Sequence, residues 1–69
     1  MTYKKGDLFI GNQNDNKGTV IIAIEDTLGG GYKQTLCRFL NCPNEPEKVG
    51  TKAFFAEWVL LCLYHKVEA

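Results

Sequence analysis

Three cysteines and one histidine, Cys37, Cys42, Cys62 and His65, are the side chains here most suited to holding a metal or starting a reaction. Three thiolates and an imidazole make a ligand set that suits tetrahedral zinc, and a bound metal would stabilise so short a chain. The spacings are Cys-x4-Cys and Cys-x2-His, with Pro43 turning the chain after Cys42. The usual tight zinc pair is Cys-x2-Cys in a loop, whereas Cys37 falls in a segment of strand character. On an extended segment Cys62 and His65 point to opposite faces; on a helix they share one. Zinc at these four residues is therefore the alternative, tied to a helix near Cys62. The expectation is reduced thiols with no metal or other cofactor, the cysteines filling core as small hydrophobes.

Catalysis has little to build on. A nucleophile needs a base within hydrogen-bond reach and an orienting third group. Cys62 with His65 and either Glu57 or Glu68 can be drawn that way, but no motif surrounds them, and no enzyme activity is expected. The run Gly29-Gly30-Gly31 precedes a strand rather than the Lys-Ser/Thr and helix of a phosphate loop, so it reads as hairpin turn. Lys4-Lys5 and the stretch from Lys48 to Lys52 add positive charge, offset by Glu25-Asp26, Glu45 and Glu47. These read as solvated surface.

The whole composition bounds what remains. With 69 residues the chain is a single domain, 1–69, and an apolar fraction of 45% argues that it folds. Eight basic residues balance eight acidic ones, so the basic surface of a dedicated nucleic-acid binder is missing in bulk. An odd cysteine count and an N-terminus without an apolar core point to a reducing cytoplasm rather than secretion. The longest apolar run, Val59 to Tyr64, is far below the ~20 residues that span a bilayer.

The elements that must position these residues lie between three turn-rich stretches: Gly11–Gly18, Asp26–Gly31 and Asn41–Gly50, the last carrying Pro43 and Pro46. In the first, asparagines suit left-handed backbone. Strands are expected over Asp7–Ile10, over Thr19–Glu25 with Val20, Ile22 and Ile24 sharing a face, and over Tyr32–Leu40. The hairpin between the last two turns through the glycines. From Lys52 to Val67 the chain is apolar under either period, and a helix buried all round is hard to arrange in so small a domain. The expected reading is a short helical turn near Thr51–Phe55, then a strand with Val59, Leu61 and Leu63 inward and Trp58, Leu60, Cys62 and Tyr64 outward. The fold class is mostly β, an antiparallel barrel of four to five strands with one short helical turn.

Four places in the chain resemble a small SH3-like barrel of the KOW or Tudor-like kind. Lys5-Gly6-Asp7-Leu8-Phe9 resembles its opening strand, and Asn16-Lys17-Gly18-Thr19-Val20 the Gly-x-Val start of the second. Tyr32 to Phe39 resembles the central strand ending in Arg-Phe. Phe55-Ala56-Glu57 with Leu60 resembles the turn into the closing strand. The resemblance implies a binding module, with KOW-type nucleic-acid binding as an alternative, although the asparagine loop is polar rather than basic. Compact chains of this kind are frequent in phage and plasmid reading frames as inhibitors or adaptors.

Eight aromatic residues exceed what one small barrel interior holds, so some belong to an interface. Interface cores favour Trp, Tyr and Phe with Arg nearby. Trp58, Leu60 and Tyr64, helped by Tyr32 and Arg38, are therefore expected to bind another protein or a second copy of the chain as a homodimer. No membrane partner is expected.

Overall fold

The computed structural model describes residues 3–25 and 34–67. Alternation of apolar residues sets the first two strands, β1 (Leu8–Gly11) and β2 (Val20–Ala23), each alternating half-buried and buried positions. In β3 (Gln34–Asn41) the inward residues are Thr35, Cys37 and Phe39. Pro46–Lys48 form one turn of 3-10 helix, and β4 (Lys52–Ala56) follows. A helix, α1 (Glu57–Cys62), then leads directly into β5 (Tyr64–Lys66).

The five strands make one antiparallel sheet in the order β4-β3-β2-β1-β5, so the chain's last strand returns to pair with its first. The registers run Leu8 with Ile22, Ile22 with Arg38, and Arg38 with Lys52, with a shift between Val20 and Ile21 that leaves Leu40 of β3 as the extra residue. The sheet is not closed into a barrel by a β4–β5 ladder among the described residues. α1 connects those two strands along the chain, with Leu60 1% exposed against the core.

That core is Tyr3, Phe9, Ile21, Ala23, Cys37, Phe39, Cys42, Leu60 and Tyr64. Its rings meet edge to face, Tyr3 on Phe9 at 5.0 Å and Phe55 between Phe39 at 5.7 Å and Tyr64 at 5.8 Å. Edge-to-face pairs of this kind add about 0.5–1.5 kcal/mol beyond the area they bury.

One sequence expectation is corrected here. The helix lies later than expected: strand β4 occupies the place of the helical turn near Thr51–Phe55, and the helix follows at Glu57–Cys62, before the closing strand. A five-residue strand lets Ala53 and Phe55 pack inward, and six residues of helix then turn Leu60 inward, so neither segment has to be buried all round. Ala56 enters the helix from extended backbone, Glu57 places its charge at the helix start, and the Leu63 amide closes the end on the Val59 carbonyl. Val20, Ile22 and Ile24 share a face as expected, and it is the half-buried outer one, while Ile21 and Ala23 point inward. The glycine turn Gly29–Gly31 and the start of the expected third strand at Tyr32 lie outside the described residues. Among those described, no helix is long and apolar enough to cross a membrane.

Candidate functional site

The outward side of the β4–α1 unit holds the largest apolar groups left in water. Trp58 is 62% exposed, Phe54 54% and Leu61 48%. Trp58 and Leu61 stand three residues apart on α1, hence on one helix face, opposite the direction set by Leu60. Phe54 lies on the outer face of β4 with Leu36 of β3 as its cross-strand neighbour. Trp58 lies four positions after Phe54, so even fully extended chain keeps their backbones within about 14 Å.

Beside Phe54 on this outer face the register sets Arg38 directly against Lys52, both exposed. Neither cation makes an ion pair or side-chain hydrogen bond among the described residues. Like charges directly opposite one another destabilise a sheet pair. The row formed by Ile22, Arg38 and Lys52 adjoins the row formed by Ile24, Leu36 and Phe54. Apolar and cationic stripes thus run side by side to the edge strand.

The five residues expected to bind a partner divide. Trp58 and Arg38 are exposed. Leu60 and Tyr64 are not: they are 1% and 7% exposed and belong to the core, which corrects their assignment to an outer surface. The reason is the helix, because a six-residue turn between β4 and β5 rotates Leu60 inward and starts β5 with the Tyr64 side chain facing Phe55. Burial also raises the Tyr64 phenol above its ordinary pKa, opposed by a hydrogen bond with Asn16. Tyr32 lies outside the described residues. Phe54, Leu61 and Lys52 were missed, although Lys52 and Phe54 stand two apart in a segment whose alternation places them on one face.

The zinc ligand set does not come together. Cys37 and Cys42 are buried, Cys62 is exposed on α1 and His65 is exposed on β5. No group of three histidine, cysteine, aspartate or glutamate side chains converges among the described residues. Burial pushes the Cys37 thiol up to about 11, so it stays protonated at neutral pH, with its Sγ 3.7 Å from the Thr35 carbonyl. A protonated buried thiol is a core group rather than a ligand or nucleophile. Glu68, one candidate third member of a cysteine-based set, lies outside the described residues, and Glu57 is half-buried at the start of α1.

The asparagine loop proves to be scaffold. No residue there other than Gly18 has positive φ, so the asparagines act through hydrogen bonds and not through left-handed backbone. Asn16 Oδ1 accepts from the Gln13 amide at 2.8 Å, and its Nδ2 donates to the Leu63 carbonyl at 2.8 Å, tying the loop to the end of α1. The Asn12 amide donates to that same carbonyl at 3.0 Å. Asn41 Nδ2 reaches the Gly18 carbonyl at 2.9 Å, and Asn44 Nδ2 bonds the Asp15 carbonyl.

No protein-family model, no curated protein and no solved structure matches this chain. Its function must be argued from the surface itself.

Proposed function

We propose that this chain is a non-enzymatic protein-binding module, an adaptor or inhibitor, that uses the outer side of its β4–α1 unit. The observation that carries the reading is Trp58, 62% exposed on a helix whose other side fills the core. A side chain of that size in water costs solubility unless a partner covers it, and the zero net charge provides no compensating repulsion. Trp is also the residue most enriched among those dominating protein interfaces. Phe54 and Leu61 extend the apolar area, and Arg38 with Lys52 supplies a charged rim.

The finer fold reading is an SH3-like barrel. What supports it is the strand order, with a short helical turn before a closing strand that pairs with the first. The partner is another protein or a second copy of the chain. Three thiols without a disulfide fit a reducing compartment.

The test compares wild type with Trp58→Ala/Leu61→Ala, both immobilised and both checked for folding by circular dichroism. If each side chain contributes the ~2 kcal/mol of an interface anchor, the double variant retains its protein partners at least a hundredfold more weakly. An identical set of retained proteins, at identical salt, would overturn the reading. Light scattering of the two proteins separates self-association from capture of a different partner.

A further inference from the structure

Strand β4 is the last in the sheet, and its outer edge has no partner strand among the described residues. The hydrogen-bond phase shows which of its groups are open. The Phe39 amide donates to the Thr51 carbonyl at 3.0 Å, and the Ile24 amide donates to the Leu36 carbonyl at 2.9 Å. Bonded and non-bonded pairs alternate along an antiparallel ladder. Residues 51, 53 and 55 therefore turn their backbone toward β3, and Lys52, Phe54 and Ala56 turn theirs to the open edge. The Leu36 bond into β2 requires the same phase from the other side. The residues with open backbone groups are those whose side chains share the outer face with Arg38 and Leu36.

We infer that the β4 edge is a strand-addition site for an extended protein segment carrying, two residues apart on one face, an apolar side chain and then an acidic one. This deepens, and rests on, the protein-binding reading above. An antiparallel incoming strand meets Ala56 first, then Phe54, then Lys52. The residue beside Phe54 continues the apolar row of Ile24, Leu36 and Phe54. The residue beside Lys52 ends a row whose last two members are Arg38 and Lys52, cations that face each other and pair with no carboxylate among the described residues. An acidic side chain there meets Lys52 directly with Arg38 behind it, removing a repulsion as well as adding an attraction. Main-chain hydrogen bonds supply the affinity and the alternate side chains the specificity, as in strand addition generally.

The probe is a fluorescein-labelled nonapeptide of alternating threonine whose other face reads valine, leucine, glutamate. Two controls carry lysine in place of the glutamate, or N-methyl groups on the amides that would face β4. The inference expects saturable binding of the first peptide, at least tenfold weaker binding of the lysine peptide, and none of the N-methylated one. Slowed hydrogen exchange is expected at the amides of Lys52, Phe54 and Ala56. Arg38→Glu/Lys52→Glu should reverse the preference between the glutamate and lysine peptides, and the wild-type arms alone decide the matter if that variant does not fold. Equal affinity for the three peptides, or binding without protection of those amides, overturns the inference. So does protection of the same amides by a second copy of the chain without peptide, or tighter binding of a single-stranded oligonucleotide at the Arg38–Lys52 pair. If partner capture remains sensitive to Trp58 while the peptides fail, the edge site falls and the protein-binding reading stands.

Discussion

The loop Gly11–Gly18 is polar and helps hold the fold together, while the segment Lys52–Cys62 is apolar and leaves three of its largest side chains in water. In the loop, Asn16 bonds forward to the end of α1 and back to Gln13, and it sits over Gly11 so closely that no side chain fits there. In the segment only Leu60 is fully buried, and Phe54, Trp58 and Leu61 contribute little to the interior. What separates the two regions is satisfaction rather than polarity. Amides that find partners become scaffold, and apolar groups left without cover become surface available for binding.

The contrast yields predictions that fall in size as they move outward from the core. The strongest concerns the one inward residue of the exposed segment. Leu60→Ala should cost about 2–5 kcal/mol in urea unfolding, most of the stability of so small a domain. A loss under about 1 kcal/mol would mean that α1 does not plug the core. Gly11→Ala comes next, since a Cβ there would lie 2.1 Å from the Asn16 carbonyl oxygen. Overpacking against backbone should cost about 3 kcal/mol. Asn16→Ala removes two loop-fixing hydrogen bonds and should cost about 1–2 kcal/mol, with faster exchange at the Gln13 amide. If it is neutral, the loop is not scaffold and the comparison collapses.

The pH dependence is smaller and has a definite sign. Cys37 loses its proton near its ordinary value of 9.0 when unfolded and, raised by burial, at about 11 when folded. The folded chain therefore holds more protons in that window. Stability is fully present below pH 9 and should fall between pH 9 and 11, on the order of 1 kcal/mol per pH unit. Burial shifts Tyr3 and Tyr64 in the same direction. Cys37→Ser should flatten the slope in urea titrations run across that range. Cys62, exposed on α1, should react with a thiol reagent well before Cys37 or Cys42 in the native protein.

Much of the fold could be read from residue order, because β-branched alternation in β2 and the two prolines after Asn41 leave few choices. The antiparallel arrangement and the approximate places of β1, β2 and the end of β3 follow from such signals. The β4–α1 unit was harder, since Lys52–Val67 is apolar at every period and periodicity does not order a strand and a helix within it. Taking the helix first put Leu60 and Tyr64 outside when packing places both in the core. That Val20, Ile22 and Ile24 share a face was legible, but which face is inner was not, because β2 is apolar on both and alternation names two sets without ranking them. The exposure of Trp58 and Arg38 agrees with the expected outward placement. The Arg38–Lys52 pair was not legible, because cross-strand register is a property of the folded sheet.

The measurement that bears most directly on the central claim is quantitative capture of partners from the native cell by wild type and by Phe54→Ala/Trp58→Ala, paired with their urea midpoints. Both side chains are more than half exposed, so each substitution should change stability by no more than about 0.5 kcal/mol. Partner retention should fall at least a hundredfold, the product of two anchors at ~2 kcal/mol each. Unchanged retention, or destabilisation by several kcal/mol with binding intact, would place these aromatics in the fold's own packing and contradict the account.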